Sequence, residues 1–147
     1  MSGRTLAWPL LLVLALALAG QTIRWDDRIT ANRALRGIEA LTTAALRVGR
    51  ADVLRANIES LRRMEKRDPL EVGLPLARGS QHLLLRQGQA AISAYEEALR
   101  LEPRPEIYLN LGRALALEGR SEEARRNFRI ATRLSPRLAP EVPAAYQ

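Results

Sequence analysis

The segment between residues 108 and 136 constrains the fold of this chain most, because its apolar residues recur at helical spacing. Tyr108, Leu111 and Leu115 stand at i, i+3 and i+7, which places them on one face of an α-helix. The segment 119–121, Gly-Arg-Ser, supplies a helix stop and, in its serine, a new N-cap. A second apolar stripe follows, made of Ala124, Phe128, Ala131 and Leu134. The segment therefore predicts two amphipathic helices joined by a tight turn.

This order of residues resembles the tetratricopeptide repeat, a helix–turn–helix unit of about 34 residues. Tyr108 falls where the family usually has Trp, and Leu111 with Gly112 forms its Leu-Gly pair. The later matches are Ala124, Phe128, Ala131, Leu134 and the closing Pro136. One such unit cannot bury its own apolar face, so the resemblance implies that further units lie alongside.

Matching positions recur upstream. Gly79 stands about one unit ahead of Gly112, and prolines stand at 69, 103 and 136. Aligned on Pro69, a first unit has Asn57 where a buried Ala is usual. The alignment predicts these buried positions in the first unit: Leu41, Ala44, Ala45, Val48, Leu61 and Met64.

The sequence thus predicts an all-α protein, a short solenoid of about three repeats preceded by one transmembrane or signal helix. The aromatic content of only 4% agrees with helices packed through Ala and Leu. The predicted segments are an anchor or signal peptide (1–24), a helical connector (25–37), repeats at 38–71, 72–104 and 105–138, and a Pro-rich tail (139–147). Because the tail is too rich in Pro for a long helix, the last helix either caps the array with its own polar surface or offers an end for docking.

An uncharged, apolar run covers residues 6–23. Its length is near the lower limit for spanning a bilayer, and Trp8 and Trp25 bracket it like an interfacial aromatic pair. The residues of such an anchor include Leu11, Leu14 and Leu18. A secretory signal cleaved after Ala19 is the alternative, and a buried core helix is a third.

The charges that flank the apolar run bear on which side of the membrane the repeats occupy. The basic N-terminus favours repeats on the periplasmic or extracytoplasmic face, whereas the arginines that follow the run favour the opposite orientation. The sequence thus predicts a single-pass membrane protein whose repeats lie on the periplasmic or extracytoplasmic face.

The sequence predicts no catalysis. There is no Cys, and the single histidine, His82, stands at a helix packing position rather than at metal-ligand spacing. No cofactor or metal site is expected. Nucleic acid is not expected as a partner either, because the basic residues accompany no recognised nucleic-acid-binding fold and no aromatic stacking platform.

The resemblance implies a binding surface, since the first helix of each repeat in this family lines a concave groove that receives a segment of another protein. Carried over position by position, the groove comprises Leu46, Arg50, Leu76, Ser80, Leu83, Leu84, Leu109, Asn110, Arg113 and Leu117. Other family members use an Asn like Asn110 to hold a peptide, but the remaining clamp positions lack the usual Lys and Asn. These leucines could instead pack only against neighbouring helices.

Two arginine-rich clusters account for much of the net charge of +7. They are Arg62, Arg63, Lys66 and Arg67, and then Arg125, Arg126, Arg129 and Arg133. Glu59 with Arg63 and Glu122 with Arg126 stand at i, i+4 and predict surface ion pairs. The clusters form a solvated face, contact anionic lipid, or contact an acidic protein.

We therefore expect a non-catalytic, membrane-anchored tetratricopeptide repeat protein that mediates protein–protein interaction as a scaffold or assembly factor. The alternatives are a permanently docked accessory subunit of a large membrane complex and a soluble adaptor exported after signal cleavage.

Overall fold

The computed structural model describes residues 33–44, 47 and 49–147, and all regular structure in this part of the chain is helical. This agrees with the predicted all-α class. Residues 33–44 form α1. The later helices are α2 (Ala51–Glu65), α3 (Gly73–Leu84), α4 (Gly88–Leu101), α5 (Pro105–Leu117) and α6 (Ser121–Leu134). Two 3-10 turns follow, at Pro136–Glu141 and Ala144–Tyr146.

The predicted anchor at 6–23 lies outside the described residues, and so does the first part of the predicted connector. Within the described ranges, no helix is both long enough and apolar enough to cross a bilayer.

The helices form three pairs, α1–α2, α3–α4 and α5–α6, and each pair turns through one residue with a left-handed backbone. The three residues are Gly49, Arg86 and Gly119, with φ of 67°, 57° and 74°. In the second and third pairs this conformation lets the next amide donate back to the ending helix: Gln87 N to His82 O and Arg120 N to Leu115 O, both at 2.9 Å. Each of these two hairpins therefore closes in the same way.

The predicted N-cap at Ser121 is wrong. Ser121 is the first residue of α6, Arg120 stands at the N-cap, and no side chain caps the helix. The left-handed turn at Gly119 leads directly into α6 without a side-chain cap.

The helices stack in chain order, so that each packs against its neighbours, and α3 also contacts α5. One continuous core runs from α3 to the C-terminal tail and contains the two large rings of Tyr95 and Phe128, which are 0% and 1% exposed. A second cluster joins Ile38 of α1 to Leu61 of α2 and Leu74 of α3. This cluster fixes the first pair against the second.

The first pair lies in a different register from the predicted one. The left-handed residues of the first two turns, at 49 and 86, lie farther apart along the chain than those of the last two turns, at 86 and 119. The cause is the connection 66–72 between α2 and α3, which is longer than the connection 102–104 between α4 and α5. Leu41 is therefore 55% exposed and Ala44 is exposed, which makes both predicted core positions wrong.

Arg78 occupies the position in α3 that corresponds to the buried Leu111 of α5. Its side chain is 11% exposed, and its guanidinium contacts Glu65 of α2 at 2.8 Å and Glu97 of α4 at 2.5 Å. Two carboxylates thus compensate a cation placed where an apolar side chain is usual, and the bridge ties three helices together.

The tail covers the end of the array. Leu138 and Val142 are buried in the main core, and the ring of Tyr146 lies 5.1 Å from the ring of Phe128. The prediction that the last helix caps itself is therefore wrong. Two short 3-10 turns do this instead, and their compact shape accommodates the prolines that exclude a long helix.

Candidate functional site

A groove of about 420 Å³ lies along the first helices of the three pairs, α1, α3 and α5. Its apolar lining is contributed by Leu35, Ile38, Leu76, Ala77 and Leu84. Its polar lining is contributed by Glu39, Thr42, Thr43, Ser80, Gln81 and Asn110. The surface thus combines an apolar wall with hydrogen-bonding groups, as protein-binding interfaces usually do.

Four of the residues predicted from the family pattern line this groove together: Leu76, Ser80, Leu84 and Asn110. Leu84 is the most accessible of the leucines that line the groove, with 43% of its surface exposed at the end of α3. An exposed leucine beside a cleft can be covered by a partner without any rearrangement of the core.

Three other predicted residues do not line this groove. Leu109 is 2% exposed and belongs to the main core, and Leu83 packs against that core from the side. Leu117 is half-buried at the end of α5. For Leu83 and Leu109 the alternative of packing against neighbouring helices describes the structure better than a binding role.

The first repeat contributes little of what was predicted for it. Leu46 lies outside the described residues. Arg50 is exposed in the turn before α2, where its guanidinium hydrogen-bonds Asp52 and holds the pKa of that carboxyl at about 2. The groove residues supplied by α1 include Leu35, Ile38 and Thr42 instead.

Arg113 is engaged by the tail. It donates to Oδ1 of Asn110 at 3.0 Å, and to the backbone carbonyl and carboxylate of Glu141 at 3.0 and 3.2 Å. The tail therefore reaches from α6 back to α5, and its carboxylate pairs with the arginine predicted for the groove.

A buried polar cluster connects the groove to the core. Asn57 and Gln81, each 4% exposed, both donate to the hydroxyl of Thr42, at 3.2 and 3.0 Å. Thr42 in turn donates to the carbonyl of Ile38 at 2.7 Å. The sequence signal for this cluster was the single departure at Asn57. Its partners belong to the two neighbouring helices, α1 and α3, and could not be read from spacing.

Tyr95, in the core, holds one of the groove residues in place. Its hydroxyl donates to Oγ of Ser80, which lines the groove, at 3.3 Å. Burial of the phenol in the core raises its pKa to about 12, because the charged form would lose its solvation. Ser80 is thereby held by the core as well as by the carbonyl of Leu76.

The described residues contain no group of three or more His, Cys, Asp or Glu side chains suited to hold a metal ion. His82 is buried in α3, and its Nδ1 lies 2.7 Å from Oε1 of Gln87 in the turn that follows. His82 thus occupies a packing position, as the sequence suggested, and its contact with Gln87 also ties α3 to the turn.

Comparison with known families gives a match in the last helix pair. Residues 105–138 match the tetratricopeptide repeat family model. This match covers α5 and α6, and with the two similar helix pairs upstream it supports a tetratricopeptide repeat protein. No curated protein matches the sequence. Repeats of this kind are typically non-enzymatic modules that bind other proteins on extended concave surfaces, which suggests a role in protein–protein interaction.

Proposed function

We propose that this chain is a non-catalytic tetratricopeptide repeat protein that is anchored in a membrane by residues 6–23 and binds a segment of a membrane-associated protein in its groove. The observation that carries the proposal is the groove shared by α1, α3 and α5, in which the exposed Leu84 lies beside polar lining residues. The anchor rests on the uncharged run in the sequence and on the tryptophans at its ends.

The lining suggests what the partner segment looks like. The apolar wall favours an apolar side chain on the partner, and Ser80 and Asn110 offer hydrogen bonds to its backbone or to a small polar side chain. Because Arg113 is already paired with Glu141, the groove does not select a partner by its C-terminal carboxylate.

A permanently docked accessory subunit is the second candidate. It is favoured by leucines that are exposed outside the groove, Leu70 at 80% and Leu134 at 55%. In such a complex these side chains would be covered together with the groove.

The test uses the full chain in its native membrane with a photoreactive side chain at position 84 or, as the matched control, at position 70. Both positions are exposed leucines, but only Leu84 lines the groove. We expect an adduct of one discrete mass from position 84 and none of that mass from position 70. The variant Leu84→Glu should lose the partner, and Leu70→Glu should retain it.

Intact-mass analysis after gentle detergent extraction tests the anchor separately. A chain that retains residues 1–19 supports the anchor, and a chain that begins at Gly20 replaces it with the exported adaptor.

Two other results of the photocrosslinking test bear on the groove. The same adduct from positions 84 and 70 at fixed stoichiometry would favour the docked subunit, and no adduct from either would reject the groove.

A further inference from the structure

The exposed face of α6 carries a row of arginines. Arg125, Arg129 and Arg133 follow one another at i, i+4 and i+8, so they lie on one face, and Arg126 stands beside them. The predicted pair of Glu122 with Arg126 is not formed. Among the described residues, no acidic side chain lies within ion-pair distance of these four arginines, and α6 has one ion pair, between Glu123 and Arg120.

The other predicted surface pair also differs, since Glu59 contacts Arg62 rather than Arg63. In that cluster, however, a carboxylate does lie against one of the arginines. Like charges one helical turn apart destabilise a helix, and an anion lying against them offsets the repulsion. The row on α6 is therefore the better candidate for an acidic partner.

A second observation lies directly beside this row. A concave site of about 530 Å³, open to solvent, lies between the tail and α6. Its apolar lining includes Phe128, Ala139, Val142 and Tyr146. Arg129 lines the same cavity, and the guanidinium of Arg125 lies 5.8 Å from the ring centre of Tyr146. The cationic row and the apolar cavity are thus parts of one surface.

We propose that this surface, formed by α6 and the tail, binds an acidic protein segment that inserts one large apolar side chain into the cavity while its carboxylates contact Arg125, Arg129 and Arg133. The row supplies charge complementarity, and the cavity supplies a pocket for an anchoring side chain. A bilayer surface would match the charge, but its headgroups present no side chain that fills a concave apolar site. The surface is distinct from the groove, which belongs to the first helices of the pairs.

The test measures binding of a fluorescent peptide, Asp-Glu-Glu-Phe-Glu-Glu-Asp, to the full chain in detergent. The comparison peptide replaces Phe by Ser and keeps every charge. We expect the Phe peptide to bind about tenfold more tightly, because burial of one aromatic ring contributes at least that much. Binding of both peptides should weaken as salt rises.

Two variants separate the contributions of charge and cavity. Arg129→Glu with Arg133→Glu should abolish binding of the Phe peptide, whereas Arg55→Glu with Arg63→Glu makes the same charge change on exposed positions of α2 and should retain it. Ala139→Trp fills the cavity from an exposed position and should reduce the Phe peptide to the affinity of the Ser peptide. Leu84→Glu, in the groove, should change neither, which keeps this result independent of the proposed groove function.

Each other outcome overturns the proposal. Equal affinity for the two peptides would show that the cavity is not used. Equal loss in the α2 variant would show attraction to net charge alone. Vesicles of anionic lipid that bind through Arg129 and Arg133, while neither peptide binds, would make this face a membrane contact instead.

Discussion

The ring of Phe128 lies so close to Gly112 that a β-carbon at residue 112 would stand 2.6 Å from Cε1 of the ring. The preceding helix pair repeats this relationship, with Gly79 and Cε1 of Tyr95 at the same 2.6 Å. In both pairs the absence of a side chain on the first helix makes room for a ring from the second. The spacing of the helices in each hairpin is therefore set by one glycine and one aromatic residue.

Gly112→Ala should destabilise the fold by about 1–3 kcal/mol, because the added methyl group forces the buried ring of Phe128 or the helices apart. Chemical denaturation followed by circular dichroism measures this. Gly37→Ala is the matched control, since Gly37 is also helical but a β-carbon added there would meet no atom of the described residues within 4 Å. That change should stabilise by about 0.5–1 kcal/mol through helix propensity. Equal effects of the two changes would contradict the close packing.

The last two helix pairs could be predicted from the sequence, because the Gly–aromatic pairs and the turns recur at one regular interval. The register of the first pair could not. Its prolines suggested nearly the same interval, but the longer connection 66–72 shifts every residue of α1 and α2 relative to the later pairs. Thr42 and Ile58 thus stand where Gly79 and Tyr95 stand in the second pair.

Within the site, the regular interval predicted part of the groove lining, and the contacts that depend on distant partners were not predicted. Leu76, Ser80, Leu84 and Asn110 line the groove as the family pattern implies. The engagement of Arg113 by the tail depends on Glu141, 28 residues away, and no local pattern indicates it. Side-chain pairing across separate elements is decided by packing, which a single sequence does not display.

Arg86→Gly should stabilise the protein by about 0.5–1 kcal/mol. Arg86 has a φ of 57°, a conformation that costs a residue with a β-carbon about 1–2 kcal/mol, and the greater freedom of glycine in the unfolded chain offsets part of the gain. Gly119→Ala, at the equivalent turn, should destabilise by a similar amount. Denaturation midpoints of the two variants should therefore move in opposite directions. A loss of stability in Arg86→Gly would show that the arginine side chain contributes more than the turn geometry costs.

Stability should fall between pH 10 and 12 because of Tyr95. Its phenol ionises at a pKa near 10 in the unfolded chain and at about 12 in the fold, so the unfolded state releases its proton first as pH rises. The stabilisation is complete below pH 10 and declines by about 2–3 kcal/mol at pH 12. Tyr95→Phe should lose about 1 kcal/mol at neutral pH, with its hydrogen bond to Ser80, but show a shallower decline above pH 10. Urea denaturation at several pH values measures both slopes, and parallel slopes would refute the assignment.

Removal of residues 136–147 should cost about 3 kcal/mol or more and make the chain self-associate, because it uncovers the end of the array at Phe128. Leu138→Ala tests the same contact without truncation and should cost about 2–3 kcal/mol, since Leu138 is only 6% exposed. Leu134→Ala provides the matched control: this leucine is 55% exposed on α6 and should change stability by no more than about 0.5 kcal/mol. Denaturation combined with analytical ultracentrifugation distinguishes the cases. A truncated chain that stays monomeric and equally stable would mean that α6 closes the solenoid by itself.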